Sequence, residues 1–426
     1  MTYKTFIGKL MLVTLPAIAA GCSSVPTLDE ATAVNEVFGD GSKMTAVIIT
    51  CSGDIDGSRL TPECFEAEGR EISAVYTSAT PDKGNAAPQG RHIVLELVAG
   101  TELRPVMPQE TQGKMQGPVA GRSGHGPVLG RTQGPERTFI DTLVVSQVKP
   151  VYSASGKEIA PTGVALTAIT SRTLLADDFS QFTFHDEQTG IDLRYNLYTP
   201  AVTDQKLPLL LFMHDASGAG KENPRYTLLQ GDGATAWVSP EWQTEHPCYV
   251  LAPQFGTVTV DDDFNMTPDL DACLNLLDSI IANANVDADR VYTTGQSMGC
   301  MMSYEFMARR PELFASAMLV AGQWDARKLA PLAKKPLWIL SCKGDVKSSE
   351  GVAQAVKVWE RAGAKVVEQE WPLEASPDER DCQVKGMLEE GGNIHYTHFA
   401  GGSHNNTWRV AYSIRGIMEW LFEQTK

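Results

Sequence analysis

Positive charge is what this sequence most clearly lacks. Its 426 residues hold 36 Lys and Arg against 52 Asp and Glu, a formal net charge of -16. No basic surface is left to displace counterions from a polyanion, which excludes nucleic acid as a partner. Beyond the N-terminus, no apolar run is long enough to cross a bilayer as a helix. No CxxC or Cys/His spacing of the zinc kind occurs, and the acidic run Asp261-Asp262-Asp263 lacks the other ligands calcium needs, so no metal is expected. No propeller-like repeat precedes the second half of the chain. What remains is 42% hydrophobic and 21% charged, an ordinary globular balance with ample core. The length suits about two or three domains.

The first 22 residues have the layout of an export signal. Lys4 and Lys9 precede a short apolar run, Leu10 to Ala20, and Ala19-Ala20-Gly21 lead into Cys22. The small residues before a cysteine resemble a bacterial lipobox. That implies cleavage before Cys22, lipid on its thiol and anchoring at a membrane surface of the cell envelope. Eight cysteines are present. Without Cys22 the rest cannot all pair; Cys51 and Cys64 are a plausible pair, and others in apolar runs read as small buried hydrophobes.

Residues 23–41 are polar without period and read as a tether. From 42 to 176, short β-branched-rich runs such as Met44–Thr50, Ile72–Tyr76, Ile93–Leu97 and Phe139–Val145 alternate with turn residues. This pattern predicts a small antiparallel sandwich. Its Gly/Pro/Gln-rich stretch, 108–137, reads as a mobile loop holding a solvated His125. From 177 to 426 the pattern changes. Continuous apolar strands at Leu207–Met213, Tyr249–Pro253, Val291–Thr294, Ala317–Val320 and Leu337–Ser341 alternate with helical stretches. Such alternation predicts an α/β domain with a mostly parallel, doubly wound sheet.

Between the strand ending at Thr294 and a helix from Met298 lies Gly295-Gln296-Ser297-Met298-Gly299. This G-x-S-x-G turn must be sharp enough to lift a serine hydroxyl above the sheet edge, hence glycine on both flanks. A serine nucleophile needs a base, and the base needs an orienting carboxylate, in the chain order Ser, acid, His. His404, in the turn Gly401–Asn405 after the last strand, is the base; His395 and His398 sit inside a strand and His246 in a helix-to-strand turn. Asp345, just past Leu337–Ser341, is the acid, with Asp325 one strand earlier as its competitor. Asp378 and Asp381 read as members of a charged, solvated loop. Met298 and Ala216, or Ser217, would give the backbone N–H donors for an oxyanion. His214, Gln296 and Trp324 are substrate-pocket candidates, although His214 suits bracing of its loop and Trp324 suits a core equally well.

Leu211-Phe212-Met213-His214-Asp215, Gln230-Gly231-Asp232-Gly233-Ala234, His246–Gln254 and the serine motif together resemble the α/β-hydrolase superfamily. More closely, the span from about Phe179 onward is similar to secreted bacterial esterases of the EstA type, related to polyhydroxybutyrate depolymerases and feruloyl esterases. Members carry an immunoglobulin-like domain ahead of the hydrolase domain. The resemblance implies a Ser297–His404–Asp345 triad, no cofactor, and a small-molecule or polysaccharide-linked ester as substrate. Two residues depart from the superfamily pattern: Asp215 stands where glycine is usual, and Cys300 where a third glycine is common. A serine peptidase of the prolyl-oligopeptidase kind, or a non-catalytic surface protein, are the other functions compatible with this fold.

Overall fold

The computed structural model describes residues 25–98, 127–132, 139, 142–201 and 204–426. The segment 1–22 with Cys22, His125, and most of the 108–137 stretch lie outside them.

The N-terminal part is a sandwich. Among the described residues, one sheet of six strands includes the neighbours Leu28–Phe38, Gly41–Asp56, Gln89–Leu97 and Ile72–Ser78, all paired antiparallel. Leu166–Ala168, Leu143–Gln147 and Phe65–Ala67 form a three-stranded sheet. Strand alternation sends Val47, Ile49 and Cys51 to one face with Ile93 and Leu95, where they pack against Phe65 and Val145.

Residues expected to form a tether are partly structural. Leu28–Phe38 is a strand, because Ala31, Ala33 and Val34 are buried and the strand pairs along its length with Gly41–Asp56. Its inward positions carry small alanines rather than bulky β-branched residues, so the sequence pattern is faint. Cys51 and Cys64 are both free and buried. Each thiol instead approaches its own oxygen, Ile49 O at 4.0 Å and Thr61 Oγ1 at 3.7 Å.

The C-terminal part holds a nine-stranded sheet. Its order is Ser180–Asp186, Ile191–Tyr198, Tyr249–Gln254, Leu207–Met213, Val286–Gln296, Ser316–Val320, Leu337–Cys342, Ile394–Ala400, Val366–Pro372. The first two strands are antiparallel to their neighbours, and the rest run parallel. Every residue of Leu207–Met213, Tyr249–Gln254 and Leu337–Cys342 is buried, as helices on both faces demand. One core includes Leu209, Leu211, Leu277, Phe306 and Trp359. The other includes Leu210, Phe212, Trp237, Trp338 and Trp420.

The chain closes in two helices, His404–Ala411 and Arg415–Glu423, separated at Tyr412–Ile414. The charged stretch with Asp378 and Asp381 is not a loop but the helix Pro377–Glu390. Ser376 and Glu379 cap its start reciprocally, with proline in the first turn.

Candidate active site

Ser297 occupies the turn between the strand Val286–Gln296 and the helix Met298–Arg309. Its backbone is strained, φ 54° and ψ -114°, a conformation that leaves no space beside it. A Cβ on Gly299 would stand 2.0 Å from the Met213 carbonyl oxygen, and one on Gly295 would stand 2.6 Å from the Gly299 carbonyl carbon. Both flanking glycines are therefore required by close approach of backbone. The departure at Cys300 is absorbed across the turn, where Gly322 takes its place: a Cβ there would lie 2.7 Å from that of Cys300.

Asp345 follows the strand Leu337–Cys342 and caps the helix Val346–Arg361, accepting from Ser348 N at 3.4 Å. His404 opens the helix His404–Ala411, whose first turn is held by Asn406 Oδ1 accepting from Ser403 N (2.8 Å) and Oγ (2.7 Å). The three side chains meet above the carboxyl ends of the parallel strands. Ser297 Oγ lies 2.9 Å from His404 Nε2, and His404 Nδ1 lies 2.5 Å from Asp345 Oδ2. With Nδ1 donating to the carboxylate, Nε2 is free to accept the serine proton. The Asp345 side chain is 8% exposed and that of His404 41%, so the carboxylate is shielded while the imidazole faces the crevice.

Met298 is the first residue of its helix, so its N–H has no acceptor within that helix. Ala216 begins a short turn, Ala216–Gly218, directly past the strand Leu207–Met213. Asp215, the other departure, has a structural purpose. Its carboxylate accepts from Ser217 N at 2.7 Å, capping that turn, and from Gln296 Nε2 at 3.0 Å, tying the loop to the serine turn.

The three substrate-pocket candidates sit behind the crevice wall, not on it. His214 is fully buried: Nδ1 donates to the Asp215 carbonyl at 2.6 Å, and Nε2 accepts from Phe255 N at 3.1 Å. Burial lowers its pKa, so the ring stays neutral and braces the loop. Gln296 is 1% exposed, and its Nε2 donates to Asp215. Trp324 is 2% exposed and donates to Glu305 Oε2 at 2.6 Å, which makes it a core residue. Asp325 is held by Arg327 in a two-point ion pair, with no bond to His404. Asp261 is consumed by its own turn, accepting from Asp263 N and Asn265 N, both at 3.0 Å.

A cavity of about 320 Å³ opens over Ser297 and His404. Ala216, Gln230, Trp408 and Arg409 line it, and so do Gly39, Asp40 and Pro127 of the N-terminal part. The last three were not legible as site residues. Gly39-Asp40 is the turn joining the strands Leu28–Phe38 and Gly41–Asp56, pressed against the backbone of Arg409. Pro127 belongs to the stretch read as a mobile loop, yet nearby Gly130 N donates to Val258 O and Arg131 O accepts from Val258 N, both at 2.9 Å.

Comparison with known proteins fits this geometry. A family model described as the esterase Ig-like N-terminal domain matches residues 30–160. The crystal structure of a thermostable esterase superposes with a TM-score of 0.72 at 26% identity, covering 93% of this chain and all of that one. The chain is an α/β-hydrolase of the esterase type with an immunoglobulin-like N-terminal domain. A model of the prolyl oligopeptidase family matches residues 265–338, a span that includes Ser297. Over 150 residues, 34% of this chain, the protein is 29% identical to NocK of Nocardia uniformis subsp. tsuyamanensis, a protein named as an esterase. It is also 29% identical over 129 residues to poly(3-hydroxyalkanoate) depolymerase C of Paucimonas lemoignei. The alignments span 41% and 31% of these two relatives.

Proposed function

We propose that the protein is a serine carboxylic-ester hydrolase working through an acyl-enzyme, with Ser297, His404 and Asp345 as its triad. The observation that carries this is the unbroken hydrogen-bonded chain from Ser297 Oγ through His404 to Asp345. Ser297 Oγ attacks the ester carbonyl carbon as its proton passes to His404 Nε2. Asp345 holds the ring in place and stabilises the imidazolium. The N–H groups of Met298 and Ala216 receive the developing oxyanion. Collapse expels the alcohol, which takes the proton from His404. Water then attacks the acyl-enzyme with His404 as base, releasing the acid and freeing Ser297.

Short acyl esters, or acetyl and feruloyl esters of polysaccharide, are the proposed substrates. The protein is proposed to be exported by residues 1–22 and lipid-anchored through Cys22. Among the described residues no helix is long and apolar enough to cross a membrane.

A direct test is labelling with a fluorophosphonate and mass analysis of the peptide carrying Ser297. The reading requires one adduct, on Ser297, lost in His404→Ala. Labelling elsewhere, or none in the folded protein, would sink it. The prolyl oligopeptidase match keeps a peptidase as the second reading.

A further inference from the structure

We propose that Gln230 binds substrate, and that the group it receives is uncharged and carries a hydroxyl or an amide. The proposal rests on the ester-hydrolase reading and deepens it.

Gln230 stands in the wall of the cavity over Ser297 and is 6% exposed. Among the described residues, neither Nε2 nor Oε1 finds a hydrogen-bond partner. A buried carboxamide left wholly unpaired is rare and destabilising, and its presence in a wall calls for a ligand. Of the other polar groups facing the cavity, Ser217, Asn405 and Arg409 are exposed to solvent, and three more are already committed. Asp215 accepts from Ser217 N and Gln296, Asp40 is paired with Lys43 at 2.7 Å, and Ser297 is bonded to His404. Gln230 is thus the buried wall residue with both its donor and its acceptor unused.

A carboxamide offers N–H donors and a carbonyl acceptor side by side. Its complement is a group that both gives and takes, which a hydroxyl or a secondary amide does. A plain alkyl chain would leave both atoms unpaired. A carboxylate could satisfy only Nε2, and would meet Asp40 and Asp215 in the same wall against the single guanidinium of Arg409 at the exposed rim. A site built to bond a hydroxyl discriminates strongly against the analogue lacking it, whereas an apolar pocket does not.

The test is pH-stat hydrolysis of ethyl 3-hydroxybutanoate and its near-isostere ethyl 3-methylbutanoate by wild type, Gln230→Leu and Gln230→Met. Wild type should favour the hydroxy ester. Both variants should lose about 10- to 100-fold in kcat/KM on that ester while staying within about threefold on the methyl ester. Their Tm should be unchanged or raised, because two unpaired polar atoms are removed. An unchanged ester ratio, with wild type active on both, would overturn the proposal alone. So would a lowered Tm with equal loss on both esters, the mark of a structural role. Wild type inactive on both, like Ser297→Ala, would overturn the ester-hydrolase reading beneath it.

Discussion

Gly344 and Gly402 touch backbone to backbone: a Cβ on Gly344 would stand 2.0 Å from the Gly402 carbonyl oxygen. One glycine precedes Asp345 and the other lies two residues before His404. The contact therefore sets the spacing of the acid-bearing loop from the base-bearing loop. Gly344→Ala must push them apart, and a displacement of about 1 Å in a catalytic group costs on the order of 100-fold. The expected outcome is a kcat lowered about 10- to 100-fold with KM nearly unchanged, measured by initial rates on a p-nitrophenyl ester.

Asp345 and Asp325 are separated by one substitution each. Asp345→Asn should reduce kcat by about 10⁴-fold, because the amide favours the wrong imidazole tautomer. Asp325→Asn removes a contact to Arg327, a residue whose side chain is 87% exposed, and should leave kcat within about twofold. Equal effects would reverse the assignment of the acid.

The parallel sheet and the serine turn were legible because their signals are local: continuous apolar runs, and glycines forced by backbone approach. Chain order and position past a strand end pointed to His404 and Asp345, the residues the fold brings to Ser297. The pocket was not legible. His214 and Trp324 look functional in sequence because polar or aromatic residues past a strand end face the crevice, yet each is consumed by an internal partner. Gln230 lies in a stretch that carries the family likeness but names no role for it, Asp40 lies in a plain turn, and their place depends on two distant segments packing together. The strand Leu28–Phe38 was missed for its inward alanines, and the helix Pro377–Glu390 for its high charge, although its Ser376/Glu379 capping pair was readable.

The turn at Gly39 meets the backbone of the helix that carries His404. A Cβ there would lie 2.6 Å from Arg409 O, on the helix that begins with His404. Gly39→Val should lower kcat/KM about 10-fold or more without unfolding the sandwich. Activity assays alongside near-UV circular dichroism check this; full activity would mean that the turn only rests on the helix.

His395 links stability to pH. It is 1% exposed, stacked on Trp338 with ring centroids 4.7 Å apart, and burial drives its pKa down to about 4. The unfolded chain takes up this proton near the ordinary pKa of about 6.5, before the folded protein does. Stability is thus full above about pH 6.5 and falls as pH drops toward 4, by about 3 kcal/mol if the whole shift is realised. His395→Phe should remove this part of the acid sensitivity, so its Tm advantage over wild type should grow as pH is lowered from 6.5 to 4.

Whether Ser297 is the nucleophile of an ester hydrolase is decided by the turnover of p-nitrophenyl butyrate and of its p-nitroanilide counterpart by wild type and Ser297→Ala. Wild type should hydrolyse the ester and little of the amide, and Ser297→Ala should lose about 10³-fold or more in ester turnover with the fold intact. Equal ester turnover by both proteins would contradict that role for Ser297.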